Sequence, residues 1–381
     1  MPTFKTISFA PSLRLWPETL ANLEARLTRF LTELRRARLA AALSRDEPPP
    51  EDPPTEDNLP ELGATAPRPR GPFVDLTYGD TERIRRRARR LVKARQEVSG
   101  VKHLRSEDVE RLRGIAGGVE LRGPASEHEA DEIVARLYEE MPWHARVLEI
   151  LWRDMRQAAG EGQGLRFRPV LLDGPPGVAK TYLGLRLAEL AHVPSVFLDV
   201  ATSSEGWSLA GSQRTWGSSA PGRPVSTILE TRVANILICV DEVEKGGTHT
   251  SYKGGVATSA HQALLSLLEP VSARVWPCPY FGLPLDLSHL NWILMSNEAH
   301  LLPAPLRSRL RIVSVRGPTR PEMRAFAARE IARRGLDEDT LDTVEALIRA
   351  YPEADEQLSL RTLLRIIDDL AAIAHTTEVQ H

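Results

Sequence analysis

The sequence predicts an α/β fold: a doubly wound parallel sheet, with a helical N-terminal region before it and a C-terminal helical lid after it. Three features predict it. Short apolar runs alternate with helix-period segments between residues 169 and 315, one of those runs empties into a glycine-rich turn that opens a helix, and beyond Pro318 the pattern is wholly helical.

The turn is the most informative stretch. In Pro169-Val-Leu-Leu-Asp-Gly-Pro-Pro-Gly-Val-Ala-Lys-Thr181 an apolar strand leads through Gly174, Pro175, Pro176, Gly177, Val178 and Ala179 to Lys180 and Thr181, and Leu183, Leu187 and Leu190 continue at helical spacing. A loop of this kind turns backbone N–H groups inward around phosphate, which side chains at Gly174 and Gly177 would obstruct. The helix that follows adds a partial positive charge. Lys180 would then sit between the β- and γ-phosphates of a nucleotide, with the Thr181 hydroxyl on Mg²⁺. The usual pattern, G-x-x-x-x-G-K-[ST], has glycine where this chain has Ala179. Alanine is favourable there if the position has ordinary helical dihedrals, and costly if the turn needs φ above zero.

Ahead of the loop, residues 1–45 contain one amphipathic helix, expected over 12–44, with Leu20, Leu23, Leu27, Phe30, Leu31 and Leu34 at helical spacing. Residues 46–72 hold Pro48, Pro49, Pro50, Pro53 and Pro54 among seven acids, with no base before Arg68, the composition of an extended, disordered linker. Residues 73–125 form a basic helical region, in which Thr81 to Val98 carries eight bases. One reading is a helix that contacts nucleic acid. The other is a solvated helix paired with the acidic linker, and the near-neutral total charge and lack of interleaved aromatics favour it. Ser126, with Glu129 three residues on, has the reciprocal capping pattern and opens helices over 127–140 and 143–159.

Residues 126–317 are read as the nucleotide-binding domain and 318–381 as the lid, with helices over 320–334, 337–350 and 359–374. After the loop strand, Val196–Val200, Ile236–Glu242, Asn291–Asn297 and Leu310–Val315 read as the further strands. Ligands of open α/β sheets bind at the carboxyl ends of strands, so the polar residues closing these runs are the candidates. Asp241 would hold Mg²⁺ through water, the adjacent Glu242 would orient or deprotonate the attacking water, and Asn297 would position that same water.

These residues resemble the AAA+ ATPases, a P-loop family with a helical lid, and above all the ATPase module of Lon proteases. The likeness covers about residues 126 to 375. It runs through Gly174-Pro-Pro-Gly-Val-Ala-Lys-Thr181, Arg214-Thr-Trp-Gly-Ser-Ser-Ala-Pro-Gly-Arg223, Val240-Asp-Glu-Val-Glu-Lys245, Leu264-Leu-Ser-Leu-Leu-Glu-Pro270 and Pro303-Ala-Pro-Leu-Arg-Ser-Arg-Leu310. The resemblance implies that Lys180 and Thr181 are Walker A residues, Asp241 and Glu242 the Walker B pair and Asn297 sensor 1. It makes Arg309 the arginine finger offered to a neighbouring subunit and Arg361 sensor 2. A finger acting in trans implies a ring, expected to be a hexamer. Trp216 falls where the family carries the aromatic of its first pore loop, which grips an extended polypeptide. Residues 246–258, with Tyr252 and Lys253, are expected to form a second loop.

The chain also departs from Lon. The first 125 residues show no likeness to its substrate domain, and His-Tyr-Gly is missing around Met141-Pro-Trp-His144, where the family contacts adenine. No lysine follows Lys253, and about twenty residues follow Arg361, so a self-contained Ser–Lys protease is not expected. Alanine at position 179 also occurs in MoxR-type AAA+ proteins, chaperone-like ATPases that form the second likeness.

A net charge of −2 gives no global sign of a nucleic-acid or membrane partner. Cys239 and Cys278 lack metal-ligand spacing, and no apolar run is long enough for a bilayer, so a cytoplasmic protein is expected. The function expected is an ATP- and Mg²⁺-dependent ring motor that remodels, unfolds or translocates polypeptide, or delivers it to a separate protease or other partner. The alternatives are a nucleic-acid-associated ATPase recruited by residues 83–95 and a non-catalytic nucleotide switch or chaperone. Glu242, Asn297 and Arg309 argue against the last.

Overall fold

A computed structural model describes residues 5–11, 19–45, 76–98, 101, 103–200, 206–214, 219–247, 259–350 and 358–378. Contacts divide the chain into two units, Leu13–Val109 and a larger one made of Met1–Ser12 with Glu110–His381.

The smaller unit consists of α1 (Leu20–Arg45), α2 (Tyr78–Val98) and the start of α3 (Ser106–Arg113). The expected first helix begins at Leu20; residues 12–18 and the Pro-rich segment 46–72 lie outside the described residues. Helices α1 and α2 pack on each other, and Leu23, Ile84 and Ala88 are buried. Asp80 is buried too. Burial alone would raise its pKa, but hydrogen bonds from Thr77 N–H at 2.8 Å and Thr77 Oγ1 at 2.6 Å, with the Arg35 guanidinium at 2.9 Å, hold its carboxyl below the ordinary value. The charged partner of this internal acid is thus Arg35 of α1, while Arg85, Arg87, Arg89, Arg90 and Lys93 of α2 are exposed.

In the larger unit the five apolar runs form one parallel sheet: β3 (Val170–Asp173), β4 (Ser195–Asp199), β5 (Leu237–Asp241), β8 (Asn291–Ser296) and β9 (Arg311–Ser314), in the order β4-β5-β8-β3-β9. Strand β8 is buried along its whole length and β5 up to Asp241, as expected of strands covered on both faces. The edge strands β4 and β9 are only partly buried.

Helices connect and cover the sheet. Ahead of it lie α4 (Glu127–Glu140) and α5 (Ala145–Gly160), and α6 (Lys180–Leu190) follows the loop. Between the strands run α7 (Trp207–Ala210), α8 (Arg223–Thr231), α9 (Ala260–Leu267), α10 (Pro270–Arg274) and α11 (Ala304–Arg307). The segment expected to be the lid holds α12 (Arg320–Arg333), α13 (Glu338–Ala350) and α14 (Leu360–Glu378), within the same unit as the sheet. One buried cluster joins Leu137, Trp143, Leu172, Leu183 and Cys239 to Phe326, Val344 and Leu363 of the lid.

Some local details differ from the sequence reading. Ser126 Oγ accepts the Glu129 N–H at 3.2 Å, but Glu129 returns its bond to the N–H of Ala125 and the reciprocal box is displaced by one residue. The full capping box forms at Thr319 and Glu322, at the start of α12. Two short antiparallel pairs were unforeseen: β1 (Thr6–Ile7) on β2 (Val119–Glu120), and β6 (Trp276–Cys278) on β7 (Leu283–Leu285).

The amino ends of the central strands are tied by two buried asparagines. Asn291 Nδ2 donates to Leu165 O at 3.0 Å and Asn235 O at 2.9 Å, while its Oδ1 accepts the Phe167 N–H at 3.1 Å. Asn235 Nδ2 donates to Arg122 O at 2.6 Å and Leu165 O at 2.9 Å, and its Oδ1 accepts the Arg122 N–H at 2.9 Å. Both amides are used at each end, so neither is a buried polar group without a partner. Asn291→Asp keeps the shape but turns two donors into acceptors that face carbonyls. It is expected to destabilise the protein by about 3 kcal/mol, measured as a lowered denaturant midpoint; an unchanged midpoint would show that the knot holds nothing.

Candidate functional site

The glycine-rich loop leaves β3 at Asp173, beside the ends of β8 and β5, its two nearest neighbours on that side. Its glycines are explained by close approach. A Cβ on Gly174 would lie 2.3 Å from Val315 O, and one on Gly177, whose φ is +77°, would lie 2.5 Å from the Ser359 Cβ. Ala179 has φ +69° and ψ 28°, the left-handed region. Of the two possibilities open at this position, the costly one holds, and an alanine there is strained by about 1–2 kcal/mol. The preceding carbonyl is held firmly: Val178 O accepts the Trp143 indole N–H at 3.1 Å and the His144 Nε2–H at 2.9 Å. Both donors are buried, and a buried donor left unpaired costs about 1–3 kcal/mol.

Lys180 opens α6 and is buried. Its ammonium donates to Gly174 O at 2.5 Å, Ser296 O at 2.9 Å and Asn297 Oδ1 at 2.8 Å, with Pro175 O at 3.3 Å. Burial lowers its pKa, opposed by the negative charges of Asp241, Glu244, Asp173 and Glu242. Thr181 Oγ1 donates to Asp241 Oδ2 at 3.1 Å, and Asp241 Oδ1 accepts the Glu242 N–H at 2.9 Å. Four predicted residues, Lys180, Thr181, Asp241 and Asn297, thus meet at the ends of three adjacent strands. Glu242 adjoins them in a left-handed backbone conformation, with Oε2 2.7 Å from the Lys245 ammonium. That contact raises the Lys245 pKa.

The site's chemistry fits a nucleotide with Mg²⁺. Among the described residues, the N–H groups of Gly177, Ala179, Lys180 and Thr181 donate to no protein carbonyl, leaving them for phosphate. Thr181 and Asp241 supply hard oxygen donors, the kind Mg²⁺ takes together with phosphate oxygens. Among the described residues no group of three or more His, Cys, Asp or Glu is placed to hold a metal by itself.

Other predicted residues lie apart. Arg309 precedes β9, whose first residue Arg311 pairs with Val170 at the amino end of β3. About 10 Å of strand separates that level from Asp173, so Arg309 and the loop are at opposite ends of the sheet. Its Nε lies 3.3 Å from Glu269 Oε2, and its guanidinium donates to Pro305 O at 2.8 Å. Arg361 is exposed in the first turn of α14, where the Leu360 N–H donates to Gly177 O at 3.1 Å. Trp216 and residues 248–258 of the expected second loop lie outside the described residues.

Several participants went unassigned in the sequence. Asp173 Oδ1 accepts the Ala299 N–H at 2.8 Å, and Glu244 Oε1 accepts the Asn297 N–H at 3.2 Å. The second oxygen of Glu244 is buried and meets no hydrogen-bond partner among the described residues. Trp143 and His144 stand 35 and 34 residues before the carbonyl they bind, and no local pattern marks that pairing.

Residues 170–317 match the family described as ATPase family associated with various cellular activities (AAA). Lon protease 4 of Sorangium cellulosum (strain So ce56) is 32% identical over 203 residues, 52% of this chain and 25% of that protein. The mitochondrial Lon protease homolog of Homo sapiens is 29% identical over 215 residues, 54% of this chain and 21% of that protein. The chain therefore carries an AAA-family ATPase domain related to that of Lon proteases, and its match spans about a quarter of their length. Among solved structures, a closed-state cryo-EM reconstruction of Hsp104:ATPyS and FITC casein aligns with a TM-score of 0.48 and 14% identity, over 72% of this chain and 49% of that chain.

Burial pushes His144 down to about 4, despite its bond to Val178 O, and the positive charges of Arg316 and Lys180 add to the depression. The folded value lies below the unfolded one of about 6.5, so stability is complete above pH 6.5. It declines as the pH falls toward 4, because only the unfolded chain takes up the proton. His144→Gln keeps an N–H donor without titrating. Between pH 7 and 5 the wild type is expected to lose about 2 kcal/mol more than this variant, measured by denaturant unfolding; parallel pH profiles would refute the shift.

Proposed function

We propose that this chain is the subunit of a Mg²⁺-dependent ATPase ring, a hexamer, that remodels, unfolds or translocates polypeptide, in the manner of a Lon ATPase module. It would act on its substrate directly or deliver it to a separate protease or other partner. The observation that carries this reading is the junction of Lys180, Thr181, Asp241 and Asn297 at the ends of β3, β5 and β8, within an AAA-family domain.

In this reading Gly174 to Ala179 wrap the phosphates and Lys180 binds the β- and γ-phosphates. Thr181 and Asp241 seat Mg²⁺, which when bound neutralises charge on the phosphate oxygens. Glu242 orients or deprotonates the attacking water, and Asn297 positions it. The Glu242 carboxylate is partly exposed and rests on Lys245, outside the knot around Lys180. Arg361, one residue beyond the contact between Leu360 and Gly177, is within the first turn of α14 and serves as sensor 2. The location of Arg309 at the far end of the sheet supports action on a neighbour's nucleotide, since it cannot reach its own. A guanidinium supplied this way stabilises the charge spread over the transferring phosphoryl group, which makes turnover depend on assembly. Trp216 would grip the substrate chain in the pore.

A second reading, recruitment to nucleic acid, is favoured by one observation: Arg87, Arg89, Arg90 and Lys93 stand exposed on α2. Salt-sensitive stimulation of ATP hydrolysis by DNA or RNA, without stimulation by unfolded protein, would promote it.

Glu242→Gln is expected to bind ATP within about twofold of wild type and to hydrolyse it at least ~10²-fold more slowly; equal turnover would overturn the assignment. Arg309→Ala is expected to lower the rate per subunit by on the order of 10³-fold. Wild-type activity should also rise with protein concentration and with added unfolded polypeptide. A rate indifferent to concentration and to Arg309 would remove the ring.

A further inference from the structure

We infer that Trp143 and His144 are positioning residues that lock the Val178–Ala179 peptide in its left-handed setting, so that a phosphate loop with alanine in a glycine position keeps its shape. This rests on the nucleotide-binding reading of the loop. The orientation of a peptide plane is fixed by the dihedrals on either side of it, here ψ of Val178 and φ of Ala179. With φ at +69°, the Val178 carbonyl points at the indole and imidazole N–H groups, 3.1 and 2.9 Å away. A trans peptide directs its N–H opposite to its C=O. The same setting therefore turns the Ala179 N–H away from the two rings, and that N–H takes no protein carbonyl among the described residues.

Relaxation of Ala179 to a negative φ would swing the carbonyl away from both rings. One unstrained alanine would then be exchanged for two buried donors without acceptors, and by the magnitudes above the left-handed setting is the cheaper. Both donors are well fixed. Pro142–His144 form a 3-10 turn that sets the two side chains side by side. The Trp143 ring meets Phe326 of α12 edge-on at 6.1 Å and lies tilted against the His144 ring at 5.8 Å. His144 must donate through Nε2, because a carbonyl only accepts, so the neutral tautomer with bare Nδ1 is the working form. Glycine at position 179 would need no such lock, because it enters the left-handed region freely.

The test is a double-mutant cycle on the full chain. Trp143→Phe and His144→Leu each remove one N–H and keep bulk; each is made with Ala179 and with Ala179→Gly, and binding of a fluorescent ATP analogue with Mg²⁺ is measured. With alanine at 179 each is expected to weaken binding about tenfold, one hydrogen bond's worth. With glycine the loss should be under about twofold, and His144→Gln, which retains a donor, should recover most of the affinity. Equal losses in the alanine and glycine backgrounds would overturn the proposal. If no variant binds nucleotide, the nucleotide reading itself fails. The same cycle read by denaturant midpoint still decides the lock: an unlocked alanine regains its strain, so losses smaller with alanine than with glycine support it, and equal losses refute it.

Discussion

The buried ammonium of Lys180 is the interaction on which the site depends. A charge removed from water is tolerated only when oxygens replace its hydration, and here Gly174 O, Ser296 O and Asn297 Oδ1 do so. Those three acceptors belong to the loop, to the end of β8 and to the residue after it. One side chain therefore fixes the loop to the middle of the sheet. The carboxylates of Asp173, Asp241, Glu242 and Glu244 oppose the effect of burial on the lysine. Three of the four are themselves oriented by backbone N–H groups, those of Ala299, Glu242 and Asn297. The site is thus an arrangement of fixed charges set before any ligand enters, the condition under which electrostatic stabilisation of a transition state is most effective.

The two ends of the sheet differ in their polar groups. At the carboxyl ends, charged groups gather around the loop, together with N–H groups that meet no protein carbonyl among the described residues. At the amino ends, the buried amides of Asn235 and Asn291 fasten the connections before β3, β5 and β8. Charged groups join them there: Asp154 accepts the Arg168 N–H and pairs with Arg311, and the Arg166 guanidinium donates to Ser288 O. The Arg309 region adjoins this end, against Glu269 and Pro305 and away from the loop.

The lid and the loop share contacts. Leu360 donates to Gly177 O and Ser359 abuts Gly177, while Phe326 of α12 stands edge-on to both Trp143 and Tyr182. Trp143 in turn binds Val178 O. A shift of the lid would therefore be felt at the glycine and at the strained alanine of the loop, through side chains in a single packed cluster.

Much of this was legible in the chain itself. Strands covered on both faces read as continuous apolar runs, which is why β3, β5 and β8 stand out at Val170–Asp173, Leu237–Asp241 and Asn291–Ser296. The loop was legible because its residues are consecutive, and phosphate chemistry constrains consecutive backbone groups. Their local order settled the fold class and named Lys180, Thr181, Asp241 and Asn297. It was silent on the insertion of β8 between β5 and β3, and on the pairing of Asn235 with Asn291, 56 residues apart. The dihedral of Ala179 was equally undetermined, since its neighbours in sequence permit either sign and the donors that decide it come from the turn before α5. Sequence periodicity reports whether a residue is buried; which distant group it meets there depends on how the elements pack, and that was decided by the tertiary structure alone.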